Sequence, residues 1–204
     1  GEHRWGAGRG CREMLMLTLG TGVGGGIICG GRPYRGASGA AAELGHVVVD
    51  ADGPPCPANC PGRGCLEVYA SGPAMAAAAR AAAAAAPDSA LGRAVAAGEE
   101  VDGRLLTRLA CEGDEVARAA LAGVGERLGV GLVTLVNVFD PEVIVVGGGA
   151  AAGGELLLGP ARRVVRERAL PPAASRVRIV PAALGPDAGL YGAAALALDE
   201  CRPA

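Results

Sequence analysis

Apolar residues along the chain switch between two periods. Met14 to Leu19 is an apolar run of strand length, Gly20 to Gly26 turns the chain, and Gly26 to Cys29 resumes the run before a second turn at Gly30-Gly31. Two short runs joined by glycines predict a hairpin with a wide bend. Residues 32–42 read as loop, and Val47 to Val49 as a short strand. Asp50 to Gly64 is rich in proline and glycine and shows neither period, so it needs an external brace. A helical period follows. Leu66 to Ala86 predicts a helix that Gly72-Pro73 can interrupt, and shorter helices are predicted at Asp88 to Ala97 and Asp102 to Ala110. The longest candidate is Asp114 to Val138, where Val116, Ala120, Val124, Leu128, Leu132, Leu135 and Val138 recur every three to four residues. Asp140-Pro141 ends it. The β-branched run Val143 to Val146 predicts a strand stopped by Gly147-Gly148-Gly149. A helix over Glu155 to Ala169, a break at Pro171-Pro172, a strand over Arg176 to Val180 and a closing helix over Asp187 to Leu198 complete the pattern. This alternation predicts a layered α/β domain, with residues 98–103 as a candidate subdomain boundary that the sequence does not fix.

Composition narrows the partners more than the fold. Half of the 204 residues are apolar and 20% are charged, as in a globular chain. Aromatics are 2%, which leaves few stacking platforms for nucleic acid. Net charge is -2, and the one local basic face, Arg162-Arg163, Arg166 and Arg168, reads as solvated surface or a subunit contact. Nucleic acid and anionic membrane are therefore poor partners. No signal-peptide pattern is present, and the alanine run Ala81 to Ala86 is too weakly apolar for a membrane span, so a cytoplasmic location fits.

Three of the seven cysteines stand in one segment with a histidine. Cys56, Cys60 and Cys65 fall within ten residues, and His46 lies ten residues upstream. One imidazole and three thiolates make a soft, four-coordinate set suited to zinc, with no open position for an activated water. A disulfide with one free thiol is the alternative, and ligand type does not separate zinc from cobalt, nickel or iron. Cys11, Cys29, Cys111 and Cys201 read as apolar fillers or surface thiols. Glu43 and Glu67 flank the set, and the ring nitrogen of His46 not used for metal would remain a fixed donor. Two carboxylates and an imidazole suit a polyhydroxyl ligand; solvated or capping carboxylates are the plainer reading.

Two glycine turns complete the inventory. Gly20-Thr21-Gly22-Val23-Gly24-Gly25 can aim backbone N–H groups at phosphate oxygens, with the Thr21 hydroxyl beside them. It lacks the Lys-Ser/Thr of a P-loop and enters a hairpin, not the helix of a dinucleotide fingerprint. Val143 to Ala150 runs from a strand through Gly147-Gly148-Gly149 toward a helix, which places a ligand at the carboxyl end of the strand. Either turn can also be purely structural.

Taken together, these blocks resemble the ROK family of repressors and sugar kinases. The resemblance rests on Leu19-Gly20-Thr21-Gly22-Val23-Gly24-Gly25-Gly26, on Glu43-Leu44-Gly45-His46, on Gly64-Cys65-Leu66-Glu67, on Asn137 to Gly149 and on Gly185-Pro186-Asp187-Ala188-Gly189. It implies an α/β, actin-like ATPase (ribonuclease H-like) fold, of which this chain is mainly the C-terminal lobe with a zinc-braced loop at 46–65. It implies phosphate contacts at Thr21 and Gly22, an adenosine region at Gly148 and Gly149, sugar contacts at Glu43, His46 and Glu67, and zinc ligands at His46, Cys56, Cys60 and Cys65. The activity so implied is ATP- and Mg²⁺-dependent phosphorylation of a hexose, glucose at the 6-hydroxyl being preferred. Fructose, mannose or an N-acetylhexosamine as substrate, polyphosphate as donor, and a sugar-responsive repressor are the alternatives. A homodimer or homotetramer is implied as the assembly. Two departures stand out. The first two thiols are separated by three residues instead of one. The family's Asp-x-Gly-x-Thr loop and Asn-Asp pair do not occur before Leu19, so no catalytic residue is assigned and the chain alone is expected to be inactive.

Overall fold

The computed structural model describes residues 1–57 and 59–201, leaving Ala58, in the spacer between the first two thiols, outside the described residues. A five-stranded sheet organises the chain. In chain order the elements are α1 (Glu2–Trp5), β1 (Met14–Leu19), β2 (Val23–Cys29), β3 (Arg32–Pro33), a 3-10 turn (Leu44–His46), α2 (Leu66–Ala70), α3 (Gly72–Ala85), α4 (Ala90–Ala96), α5 (Gly103–Glu112), α6 (Glu115–Phe139), β4 (Val143–Gly147), α7 (Glu155–Arg168), α8 (Ala173–Arg176), β5 (Arg178–Pro181) and α9 (Ala188–Glu200). The strand order is β3-β2-β1-β4-β5. β1 and β2 form the antiparallel hairpin, with Met14 opposite Ile28 and Leu19 opposite Val23. β4 lies parallel to β1, with Met14 opposite Val143 and Thr18 opposite Gly147, and β5 continues parallel to β4.

Period-2 alternation in β1 assigns its faces. Leu15, Leu17 and Leu19 face one side and are fully buried, together with Ile144 and Val146 of β4, Leu121, Leu128, Leu132 and Leu135 of α6 and Leu157 and Leu158 of α7. Met14, Val143, Val145 and Cys11 form a smaller cluster on the opposite face. β4 is buried on both faces, which explains its unbroken β-branched run. Helices α3 to α6 begin at side-chain caps. Ser71 accepts from Ala74 N–H, Ser89 from Gly92 N–H, Asp102 from Arg104 and Leu105 N–H, and Asp114 from Ala117 N–H.

Several expectations are corrected. Val47–Val49 is not a strand: Val48 makes one isolated bridge, to Cys65, because no neighbouring strand extends beside it. The interruption expected at Gly72-Pro73 falls one residue earlier, where Ser71 leaves helical geometry to cap α3. Residues 32–42 begin with a two-residue strand on β2, and α1 precedes the first predicted element. Residues 98–103 are no core boundary, because Leu91 and Ala94 share one apolar cluster with Leu105 and Leu106. By length and composition alone α6 is long and apolar enough to cross a membrane. Here half of that apolar window is buried inside the protein, against the sheet and neighbouring helices.

Candidate active-site cleft and metal loop

Two glycine turns meet at the carboxyl ends of the parallel strands β1 and β4, the edge where open α/β sheets bind ligands. The first turn follows β1. Gly20 N–H donates to the Gly22 carbonyl at 2.9 Å, and the Gly20 carbonyl accepts Gly72 N–H at 2.7 Å, which fastens the turn to the start of α3. Glu67 Oε2 accepts Val23 N–H at 2.8 Å. A Cβ at Gly22 would collide with that carboxylate, and one at Gly45 would collide with the Val23 carbonyl. Glycine at 45 is therefore set by close approach of backbone, while a side chain at 22 would displace the Glu67 carboxylate.

Two clefts open onto this edge. One, of about 420 Å³, is lined by Thr21, Gly22, Glu43, His46, Glu67 and Gly148. The other, of about 560 Å³, is lined by Gly20, Thr21, Gly149, Gly72, Pro73, Glu100, Asp102 and Arg104. They share Gly20 and Thr21. Each has the volume of a small-molecule site. The fold thus gathers all seven residues proposed for sugar and phosphate or adenosine contact around one junction. Sequence reading missed Glu100, Asp102 and Arg104. Asp102 carried a visible helix-cap signal, but nothing local pointed to a cleft 80 residues from Thr21. It also missed the hold of Glu67 on Val23.

The cysteine segment has little regular structure. Two isolated bridges, Val48 with Cys65 and Pro55 with Arg63, are joined by backbone bonds such as Cys56 N–H to the Gly62 carbonyl at 2.9 Å. One ligand atom from each of His46, Cys56, Cys60 and Cys65 lies within 4.8 Å of the others. Cys60 Sγ and Cys65 Sγ are 3.9 Å apart, and Cys56 Sγ is 3.5 Å from His46 Nδ1. Tetrahedral zinc with thiolate bonds of about 2.3 Å needs sulfur–sulfur edges of roughly 3.8 Å, so the donor set fits that ion. The imidazole presents Nδ1 to the thiols, while Nε2 lies 3.9 Å from Glu43 Oε2. Glu43 is exposed at the cleft rim.

Burial suppresses ionisation of Cys56 and Cys65. Burial, then hydrogen bonds with Cys65 and Cys60, push the Cys56 thiol up to about 12. Burial also raises Cys65. A central divalent cation reverses that preference, because it binds thiolate and offsets the clustered charge. Asp50 anchors the same loop: Tyr69 donates to its Oδ2 at 2.9 Å, Arg127 Nη1 stands 3.8 Å from that oxygen, and the Arg127 guanidinium lies over the Tyr69 ring at 4.7 Å. The basic face on α7 is engaged at the protein surface, Arg162 with Glu155 and Arg163 with Glu126.

Known proteins match along almost the whole chain. A profile of the ROK family matches residues 1–200. A glucokinase from Thermotoga maritima is 37% identical over 196 residues, covering 96% of this chain and 61% of its own length. A ROK family glucokinase from Streptomyces griseus, solved in complex with glucose and AMPPNP, superposes with a TM-score of 0.86 at 39% identity, covering 96% of this chain and 63% of that one. A xylose repressor from Bacillus spizizenii is 28% identical over 201 residues, covering 98% of this chain and 48% of its own length. The chain thus spans about three fifths of the length of the glucokinases it matches.

Proposed function

The chain belongs to the ROK family, and from that membership, with two clefts meeting at Thr21, we propose that it carries the sugar and nucleotide surfaces of an ATP-dependent hexose kinase. Glucose is the proposed substrate and its 6-hydroxyl the proposed acceptor. Glu43, His46 Nε2 and Glu67 bind the hexose hydroxyls in the smaller cleft. Gly148 and Gly149 pack against the adenosine, and Thr21 and Gly22 hold phosphate at the junction. The shared junction carries this reading, because transfer needs donor and acceptor in line at one point. Room for close approach supports it: a Cβ at Gly20 or Gly149 would meet nothing within 4 Å.

The α/β actin-like ATPase fold supplies positioning and electrostatics. Mg²⁺ would arrive with the polyphosphate, held largely by its oxygens and by water, and would offset its charge. Zinc on His46, Cys56, Cys60 and Cys65 is a structural brace in this reading. No residue among these 204 is assigned as the base that takes the hydroxyl proton. Assembly as a homodimer or homotetramer and a cytoplasmic location belong to the same proposal.

Calorimetric titration tests it. The purified chain is expected to bind glucose and AMPPNP together and to show negligible turnover in a coupled assay. Robust turnover by the chain alone would place the base among these residues. The match to a xylose repressor over 98% of the chain favours a second reading, a sugar-responsive repressor. Hexose binding with no AMPPNP binding would select it.

A further inference from the structure

Val23 is gripped by two elements, one carrying a candidate metal donor and the other capped by one. On one side is the 3-10 turn Leu44–His46, whose Gly45 packs so closely on the Val23 carbonyl that no Cβ fits between them. On the other side is α2, which starts immediately after Cys65 and whose Glu67 accepts the Val23 N–H at 2.8 Å. Val23 is 4% exposed. The grip is therefore complete only when the His46 turn and the start of α2 keep a fixed separation.

The intervening backbone fixes that separation only at points. Asp50 to Gly64 holds neither helix nor named strand, and the ties across it are the Val48–Cys65 bridge, closed by Leu66 N–H to the Val47 carbonyl at 2.9 Å and Val49 N–H to the Gly64 carbonyl at 2.8 Å, and, farther out, the Pro55–Arg63 bridge with Gly64 N–H to the Pro54 carbonyl at 2.8 Å. The donor atoms of His46 and Cys65 belong to one cluster, within 4.8 Å of each other. An ion bonded to both locks the distance between the two jaws on Val23. A carboxylate accepting a backbone N–H is a charge-assisted bond, suited to carry that constraint into the turn.

We propose that the metal loop is a latch for the glycine turn, with Glu67 as the positioning residue that transmits it. The ion's effect then reaches the proposed phosphate contacts at Thr21 and Gly22, not only the proposed sugar contacts beside it. This rests on the metal assignment above. Among the described residues Glu67 Oε1 takes no hydrogen bond, so one carboxylate can hold the turn and still offer an oxygen to the cleft.

Amide hydrogen exchange, read residue by residue by NMR on the full chain, tests the latch. The metal is Co²⁺, whose visible bands report thiolate coordination independently. Stripping the ion with a chelator is expected to speed exchange at Val23 by at least about tenfold while Leu17, inside β1, stays slow. Glu67→Ala is expected to speed Val23 with the cobalt bands intact, and Glu67→Gln, which keeps an acceptor oxygen, to restore slow exchange. Equal Val23 exchange in loaded and stripped protein, with cobalt bands present, overturns the latch alone. Acceleration of Val23 and Leu17 together also overturns it, since the ion would then be holding the whole fold. Absence of cobalt bands overturns the metal assignment and the latch with it.

Discussion

Helix α6 and the loop between His46 and Cys65 are comparable lengths of chain ordered by opposite means. α6 buries ten of its residues against the sheet and its neighbouring helices, and its order follows from desolvation spread over many side chains. The loop buries few side chains and is held by countable contacts, the Tyr69–Asp50 bond and a few backbone pairs, with four donor atoms placed where an ion would add to them. Diffuse burial survives the loss of any single atom group, whereas point contacts fail one at a time. The candidate site is built where the two meet, with Thr21 on a turn that leaves the core sheet and His46 on the loop side. Rigid strands thus fix where the clefts lie, and conditional contacts decide whether they are ordered.

Breaking the diffuse side gives the largest expected loss of stability. Leu132→Ala removes a fully buried side chain in α6 and is expected to cost about 2–5 kcal/mol in urea unfolding. Bound metal should stay stoichiometric while the protein remains folded. Cys65→Ser attacks the other side. It is expected to abolish tight metal binding, measured by chelator competition. Trypsin should then cut faster after the exposed Arg63, while far-UV ellipticity from α6 and α7 persists. If the helices melt with the metal, the two regions are not ordered separately and the contrast fails. Tyr69→Phe probes a single point contact. Loss of its bond to Asp50 is expected to cost about 0.5–1.5 kcal/mol, seen as a smaller gain in trypsin sensitivity at Arg63 with metal still bound.

The same contrast explains what could be read from the chain. Val143–Val146 and Val47–Val49 are both β-branched runs, yet only the first is a strand. The first lies between β1 and β5 and is buried on both faces, so propensity and packing agree. The second has no neighbouring strand, and Val48 is 55% exposed. The donor set was legible because cysteine and histidine advertise their chemistry wherever they stand. Which imidazole nitrogen faces the thiols was not, since it depends on the shape of the 3-10 turn. Nor was the role of Glu67, because its partner Val23 is 44 residues away and contributes only a backbone N–H. The clefts were legible in part: the glycine turns mark their junction, but the wall at Glu100 to Arg104 comes from helix packing that no local pattern records.

Glu142 sharpens the comparison with the smallest effect, because it is a point contact that serves the core. It stands just before β4, and its Oε1 accepts Arg12 N–H at 2.6 Å and Glu13 N–H at 3.0 Å, clipping the approach to β1 against the approach to β4. Those N–H groups, Glu13 first and Arg12 second, hold its carboxyl below the usual carboxylate range, with a further contribution from the Arg178 charge. A folded-state pKa below the unfolded one gives stabilisation that is fully present above the unfolded value. It fades as pH falls through the folded value, where protonation is forced. Glu142→Gln keeps an acceptor oxygen but removes the titration. Near neutral pH its urea midpoint is expected to lie slightly below the parent's, and the gap should close on acidification past about pH 4. A gap that stays constant with pH would show that the clip works by shape alone. Burial of Leu15 and Ile144, and not the charge of Glu142, would then set the register of β1 on β4.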